Sequence, residues 1–315
     1  MLSLIFALLL AVSQSSVAAE ELKPIMLEKS GGFTVGGKVL TQPGTDQTLS
    51  CDHRYMEYFI PWKQRKTSIV MWHSSSTQSF QNRWDGGEGY KDMFLRRDYP
   101  VYLWDAPGVG RANWLCKAYN YWPDVQFPTE NEEAWQQATS GRYVEFDTVE
   151  NVHLQSDEAA VAADSGRLGD SVVYFTNSMS SLRTMLTAIK SESNNIKAIV
   201  NYEPFGHVFP DNANITEGDA FGSFIVPLED IKKLAKLPAI QFVWGAHREG
   251  FNFVNESLIA AEFINKYGGN AEVVMLADDH GLEGSTHIAF ADMDNAKVAG
   301  LVDRLFEKTG LDEYP

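Results

Sequence analysis

The chain has 315 residues, 42 of them acidic and 26 basic, for a formal charge of -16, with 44% hydrophobic and 12% aromatic residues. That is too apolar and aromatic for a disordered chain, and two cysteines are too few for a disulfide scaffold. The acidic excess repels phosphate backbones and anionic lipid, which disfavours nucleic-acid and membrane-surface partners and leaves a soluble globular protein with a pocket.

Residues 1–19 carry no charged side chain. Apolar Leu2–Val12 is followed by polar Ser13–Ser16 and then Val17, Ala18 and Ala19, which reads as a secretory signal peptide with the mature chain starting at Glu20. The apolar core is too short to span a bilayer comfortably, so an uncleaved anchor is the lesser reading. Export makes Cys51 and Cys116 candidates for one disulfide, the alternative being two separate buried thiols. The sequons Asn214-Ile215-Thr216 and Asn255-Glu256-Ser257 matter only in a host that glycosylates secreted proteins.

Beyond the signal segment, Gly31–Gly37 and Tyr55–Ile60 alternate and turn as an antiparallel sheet edge would. Near-continuous apolar runs at Ser68–Trp72, Val101–Trp104, Ser171–Thr176, Ala198–Tyr202, Ala239–Trp244 and Glu272–Leu276 then alternate with helix-compatible segments. Those segments are Tyr90–Arg97, Val152–Leu168, Ser181–Ser191, Pro227–Leu237, Ser257–Tyr267 and Asn295–Lys308. The pattern predicts an α/β fold, a mostly parallel sheet with helices on both faces. Two aromatic-rich stretches, Trp114–Asp147 and Phe205–Phe224, follow strand ends, where open α/β sheets place ligands, and are expected to form a small cap or pocket wall. Without a repeat or linker, residues 20–315 are expected to form one domain.

The segment Asp170–Leu186 reads as a buried strand, then Thr176-Asn177-Ser178-Met179-Ser180, then a helix. A nucleophile elbow places its serine on such a turn, with small residues two before and two after it. Ser178 is then the nucleophile and the Met179 amide an oxyanion donor; the competing reading is a serine that caps a helix. Upstream, Ile69–Ser76 is a strand that ends in His73-Ser74-Ser75-Ser76, and Val101–Arg111 is one that ends in an Asp-x-x-Gly-x-Gly turn. Gly108 and Gly110 do not open a first βαβ unit, so a dinucleotide fingerprint is excluded.

These landmarks, in order, resemble the α/β-hydrolase superfamily, and within it the secreted bacterial and fungal esterases similar to the Alcaligenes-type esterase. The matching segments are Gly31–Gly37, Tyr55–Pro61, the His73 turn, Asp105–Arg111, Tyr202-Glu203-Pro204 and Gly281–His287. The resemblance implies a serine esterase working without cofactor or metal, in the order nucleophile, acid, base. It implies His287 as the base, with His280 beside Asp278 and Asp279 as the alternative. It implies Glu203 as the acid, because Ala246 stands where many relatives carry Asp; Glu249 and Asp279 are lesser choices. The second oxyanion amide is expected just after His73, at Ser75. Ser74, Ser75 and Ser76 stand where relatives carry glycine, a departure expected to narrow the oxyanion hole or to add hydroxyls to it, and the same substitution recurs at the elbow with Ser180 and Ser181.

The expected partner is a small-molecule ester, with neither nucleic acid nor, in the mature form, a membrane; a homodimer is compatible with the chain. A hydrolase-fold binding protein that has lost its chemistry is the second reading. A haloalkane dehalogenase is disfavoured because its elbow needs Asp. A metal site at His247, Glu249, Asp278 and His280 lacks recognisable ligand spacing.

Overall fold

A computed structural model describes residues 22–41, 48–51, 54–74, 77–106, 126, 148–216, 218, 222–248 and 252–315, with the side chains of 38–51 left aside. The predicted signal segment, Cys116, the Cys51 side chain and all of Trp114–Asp147 except Gln126 therefore lie outside the described residues. The strands are β1 (Leu27–Val35), β2 (Lys38–Thr41), β3 (Thr48–Cys51), β4 (Arg54–Pro61), β5 (Thr67–His73) and β6 (Val101–Asp105). They continue with β7 (Ser171–Asn177), β8 (Ile196–Tyr202), β9 (Val208–Pro210), β10 (Phe224–Val226), β11 (Ala239–Trp244) and β12 (Ala271–Met275).

Eight of these form one sheet in the order β1-β4-β6-β5-β7-β8-β11-β12. The pairs β1–β4 and β4–β6 are antiparallel and the pairs from β6 onward are parallel. The alternating amino-terminal segment thus supplies the antiparallel edge, as expected, and the apolar runs supply the parallel centre.

The helices are α1 (Gln78–Gln81), α2 (Tyr90–Arg96), α3 (Val149–Asp164), α4 (Ser180–Lys190), α5 (Leu228–Leu234), α6 (Phe253–Lys266), α7 (Leu276–His280) and α8 (Asn295–Thr309). Strand periodicity sorts the core into two layers. Val70, Trp72, Val172, Tyr174, Ile199, Ile240, Phe242 and Trp244 pack with α3, α4, α5 and α6 on one face. Ile69, Met71, Val101, Leu103, Val173, Phe175, Val200 and Val243 pack with α2 and α8 on the other. Each such buried side chain contributes roughly 1.5–3 kcal/mol, which is why the central strands read as unbroken apolar runs.

Boundaries differ where local chemistry overrides the pattern. Helix α3 starts three residues early because Thr148 accepts the Asn151 N–H at 3.2 Å, and it stops at Asp164, before Gly166 at φ 73°. Leu276, expected to end the last strand, opens α7. The 205–224 stretch is not all loop. It holds β9 and ends at the first residue of β10; the two strands pair parallel in a small sheet of their own but are each three residues long, too short for periodicity to register. The Asn255 sequon lies on α6, where Ser257 is buried and accepts from Trp244 Nε1 at 3.0 Å. Among the described residues no helix is long and apolar enough to cross a membrane.

Candidate active site

The ladder registers level the carboxyl ends of four strands. His73 lies opposite Asn177, Asn177 opposite Tyr202, and Tyr202 opposite Val243. The residues that leave β7, β8 and β11 next are therefore Ser178, Glu203 and, one step on, Gly245, side by side at one edge of the sheet.

Ser178 has φ 59° and is 6% exposed. A left-handed serine costs on the order of 1–2 kcal/mol, so the surroundings must hold it there. Its N–H donates to Tyr202 O at 3.1 Å, and its carbonyl accepts from the N–H groups of Ser181 and Phe205, each at 3.1 Å. It does not cap the helix. Met179 occupies that position with αR geometry, and no side chain accepts a capping bond. Strand, strained serine and helix together have the geometry of a nucleophile elbow.

The small residues around the elbow have a use of their own. Thr176 Oγ1 donates to Asn201 Oδ1 at 2.6 Å and lies 3.2 Å from Ser181 Oγ. Ser180 Oγ accepts the Asn177 N–H at 3.0 Å and shares its proton between Trp72 O at 2.7 Å and Asn177 O at 2.6 Å. Thr176, Ser180 and Ser181 are all fully buried. The hydroxyls of Ser180 and Ser181 thus pin the strand ends beneath the turn.

Glu203 also has a positive φ, 42°, held as its N–H donates to Val243 O at 2.7 Å. Its Oε2 meets His287 Nδ1 at 2.8 Å while Oε1 accepts the Gly245 N–H at 2.9 Å. Against a carboxylate Nδ1 carries the proton, so Nε2 is the basic nitrogen. Glu203 is buried, whereas the His287 side chain is 37% exposed. The ring of Phe205 covers the imidazole at a centroid distance of 5.0 Å and stacks on Phe253 at 4.8 Å.

The alternatives are placed elsewhere. His280 is exposed at the end of α7, Asp279 accepts the Met275 N–H at 2.7 Å, and Asp278 pairs with Arg248. Glu249 lies outside the described residues.

The chain matches a solved bacterial esterase with a TM-score of 0.70 and 21% identity, over 91% of this chain and 98% of that one. The chain has the α/β-hydrolase fold. An esterase from Pyrococcus furiosus matches more distantly, at a TM-score of 0.49 and 12% identity over 89% of this chain and 91% of that one. No family model and no curated protein matches the chain.

In this α/β-hydrolase fold the turn after β5 leads toward the expected oxyanion amide of Ser75, which itself lies outside the described residues. Its exit is tied down because Thr77 Oγ1 donates to Asp105 Oδ1 at 2.9 Å, which joins two of the sequence landmarks. The His73 ring packs edge-on against Phe80 and Phe290, at 6.4 and 6.2 Å. Below the site the hydroxyls of Tyr90 and Tyr202 meet at 3.1 Å, and burial raises both phenols well above their ordinary range. Among the described residues no group of three or more His, Cys, Asp or Glu side chains is arranged to hold a metal.

Sequence reasoning missed several residues that shape the site. Asn177 Nδ2 donates to Tyr202 O at 3.0 Å and to His287 O at 2.8 Å, binding the base's loop to the elbow. Its only signal was its place beside Ser178. Gly245, whose Cβ would stand 2.8 Å from Glu203 Oε1, could have been suspected once Glu203 was taken as the acid. Asp292 gave no signal. It is fully buried, and burial, with the carboxylates of Asp294 and Glu203 adding to it, raises its carboxyl to about 7 despite two bonds from Thr286.

Proposed function

We propose that the protein is an exported serine hydrolase that cleaves carboxylic esters through a covalent acyl-enzyme. The observation that carries this reading is the Glu203–His287 hydrogen bond of 2.8 Å, beside a serine at φ 59°. The fold it shares with a bacterial esterase supports it. His287 Nε2 takes the Ser178 proton as Oγ attacks the ester carbonyl, and the positive charge that forms on the imidazole is stabilised by Glu203. The amides of Met179 and Ser75 receive the oxyanion. Collapse of the tetrahedral intermediate breaks the bond to the alcohol oxygen, which leaves with the proton held on His287. Water, deprotonated by the same nitrogen, then releases the carboxylic acid. Phe205 and Phe253 offer an apolar surface beside the base, suited to an apolar acyl or alcohol group.

The test compares the wild type with Ser178→Ala on p-nitrophenyl esters of graded acyl length and by fluorophosphonate labelling. Turnover and labelling that both vanish in Ser178→Ala are expected. A wild type that does neither would favour a binding protein on a hydrolase scaffold. Export and the Cys51–Cys116 bridge belong to the same proposal, and the amino terminus and thiol count of the secreted protein check them.

A further inference from the structure

The imidazole of His287 sits on a loop. Gly284–Ile288 belongs to neither helix nor strand, lying between α7 and a 3-10 turn at Ala289–Ala291. The base is therefore not itself part of a helix or strand, and beyond the Asn177 bond to its carbonyl further ties must fix it, since productive catalysis needs its position held within about half an ångström.

A single buried carboxylate brackets it. Asp292 Oδ2 accepts the Thr286 N–H at 2.6 Å, and Asp292 Oδ1 accepts the Thr286 hydroxyl at 2.8 Å. The same hydroxyl oxygen accepts the Ile288 N–H at 3.2 Å. The residues before and after His287 are thus both tied to Asp292, one directly and one through the Thr286 hydroxyl. Asp292 is fixed in turn, since its carbonyl accepts the Asn295 N–H at 3.1 Å where α8 begins. Thr286 Oγ1 accepts from Ile288 and gives its own proton to Asp292, so both carboxyl oxygens act as acceptors, the arrangement that suits an ionised carboxylate.

We infer that Asp292, as a carboxylate, is a positioning residue that fixes the His287 loop, and that protonating it releases that hold. The inference rests on the proposed role of His287. A protonated Asp292 keeps an acceptor for the Thr286 N–H, but its bond to the Thr286 hydroxyl must turn round, which leaves the Thr286 proton without that acceptor. The charged groups that act on Asp292 most strongly are the carboxylates of Asp294 and Glu203, both of which favour its protonated form, while the bonds from Thr286 oppose them. As pH falls and Asp292 takes up its proton, the hold on the loop weakens, so activity on the acid side depends on a carboxyl that does not itself take part in the proton transfer.

The experiment measures kcat and KM against pH for wild type, Asp292→Asn, Thr286→Val and Thr286→Ser on one p-nitrophenyl ester, with Ser178→Ala as the control. Asn keeps the size and one acceptor but cannot ionise. The expected result is kcat lowered about tenfold or more in Asp292→Asn with KM little changed, as for a group whose effect falls on the transition state. The acid limb should change shape, because Asn has no carboxyl to protonate. Thr286→Val should follow Asp292→Asn, and Thr286→Ser should recover most of what Thr286→Val loses. Wild-type kcat and an unchanged acid limb in Asp292→Asn would overturn the inference. If Asp292→Asn does not fold, the two Thr286 variants decide it. Loss of the esterase reading itself would appear as turnover that survives Ser178→Ala or is absent from the wild type. In that case proton NMR of the low-field His287 Nδ1–H decides, since the signal is expected in wild type and broadened by exchange in Asp292→Asn. An equally sharp signal in both would overturn the inference.

Discussion

Gly245 donates its backbone N–H to Glu203 Oε1 at 2.9 Å, where a Cβ would stand 2.8 Å from that oxygen and 3.1 Å from Ser285 Cβ and Ser285 O. The glutamate just after β8 reaches His287 because the residue that follows β11 has no side chain. Gly245→Ala should therefore push the carboxylate off the imidazole, cutting kcat about tenfold or more while the sheet remains folded. Steady-state kinetics beside far-UV circular dichroism would check it, and an unchanged kcat would refute the steric argument.

Glu203→Gln leaves an oxygen for one partner and places an amide against the other. With the imidazole then held in the wrong tautomer or misaligned, kcat should fall by about 10²–10⁴. Glu203→Asp withdraws the carboxylate by one methylene, so it should lose much of the same activity despite keeping the charge. Pre-steady-state acylation rates would separate this loss from a slower deacylation.

Asn177→Ala removes a side chain bonded to both Tyr202 O and His287 O. Leaving two enclosed carbonyls without that donor should cost about 1–3 kcal/mol of stability. It should also lower kcat, because the base's loop loses its tie to the elbow. Urea unfolding and ester turnover measured on one preparation give both numbers. Ser180→Ala should cost a similar 1–3 kcal/mol through Trp72 O and Asn177 N–H alone, with less effect on turnover.

Asp292 makes stability depend on pH in the direction opposite to an ion-paired carboxylate. Its carboxyl titrates near 7 in the fold against an ordinary 3.8, so between those values the native state holds a proton that the unfolded chain has released. Stability is fully present below the lower value and is lost as pH rises toward the higher one. At about 1.4 kcal/mol per pH unit the loss totals on the order of 4 kcal/mol. Urea midpoints from pH 4 to about pH 8 should therefore fall less steeply in Asp292→Asn than in wild type. Parallel curves would count against this titration. The ionised form that orders the base is thus the less stable one, a stability cost of the kind active sites incur.

The parallel core was legible in the sequence because each central strand is buried on both faces and leaves an unbroken apolar run, as at Val172–Phe175 and Ile240–Val243. The elbow was legible because a strand, a short polar turn and a helix follow each other within Ser171–Lys190. The pairing of Glu203 with His287 joins positions 84 apart in sequence, so it came from resemblance and not from spacing. Asp292 was illegible for another reason. Its surroundings, not its neighbours in sequence, bury it, and a lone Asp before a helix reads as an ordinary start signal.

The bond from Asn177 to His287 has a consequence for how the molecule breathes. Asn177 ends β7, a strand paired on both sides by β5 and β8. Loops in most proteins open locally at little free energy, ahead of the core. Here the loop can detach only by breaking a bond anchored on a central strand, so its slowest amides should exchange hydrogen nearly as slowly as those of the sheet. The part of the molecule expected to handle protons is thereby among the last to let go of its own.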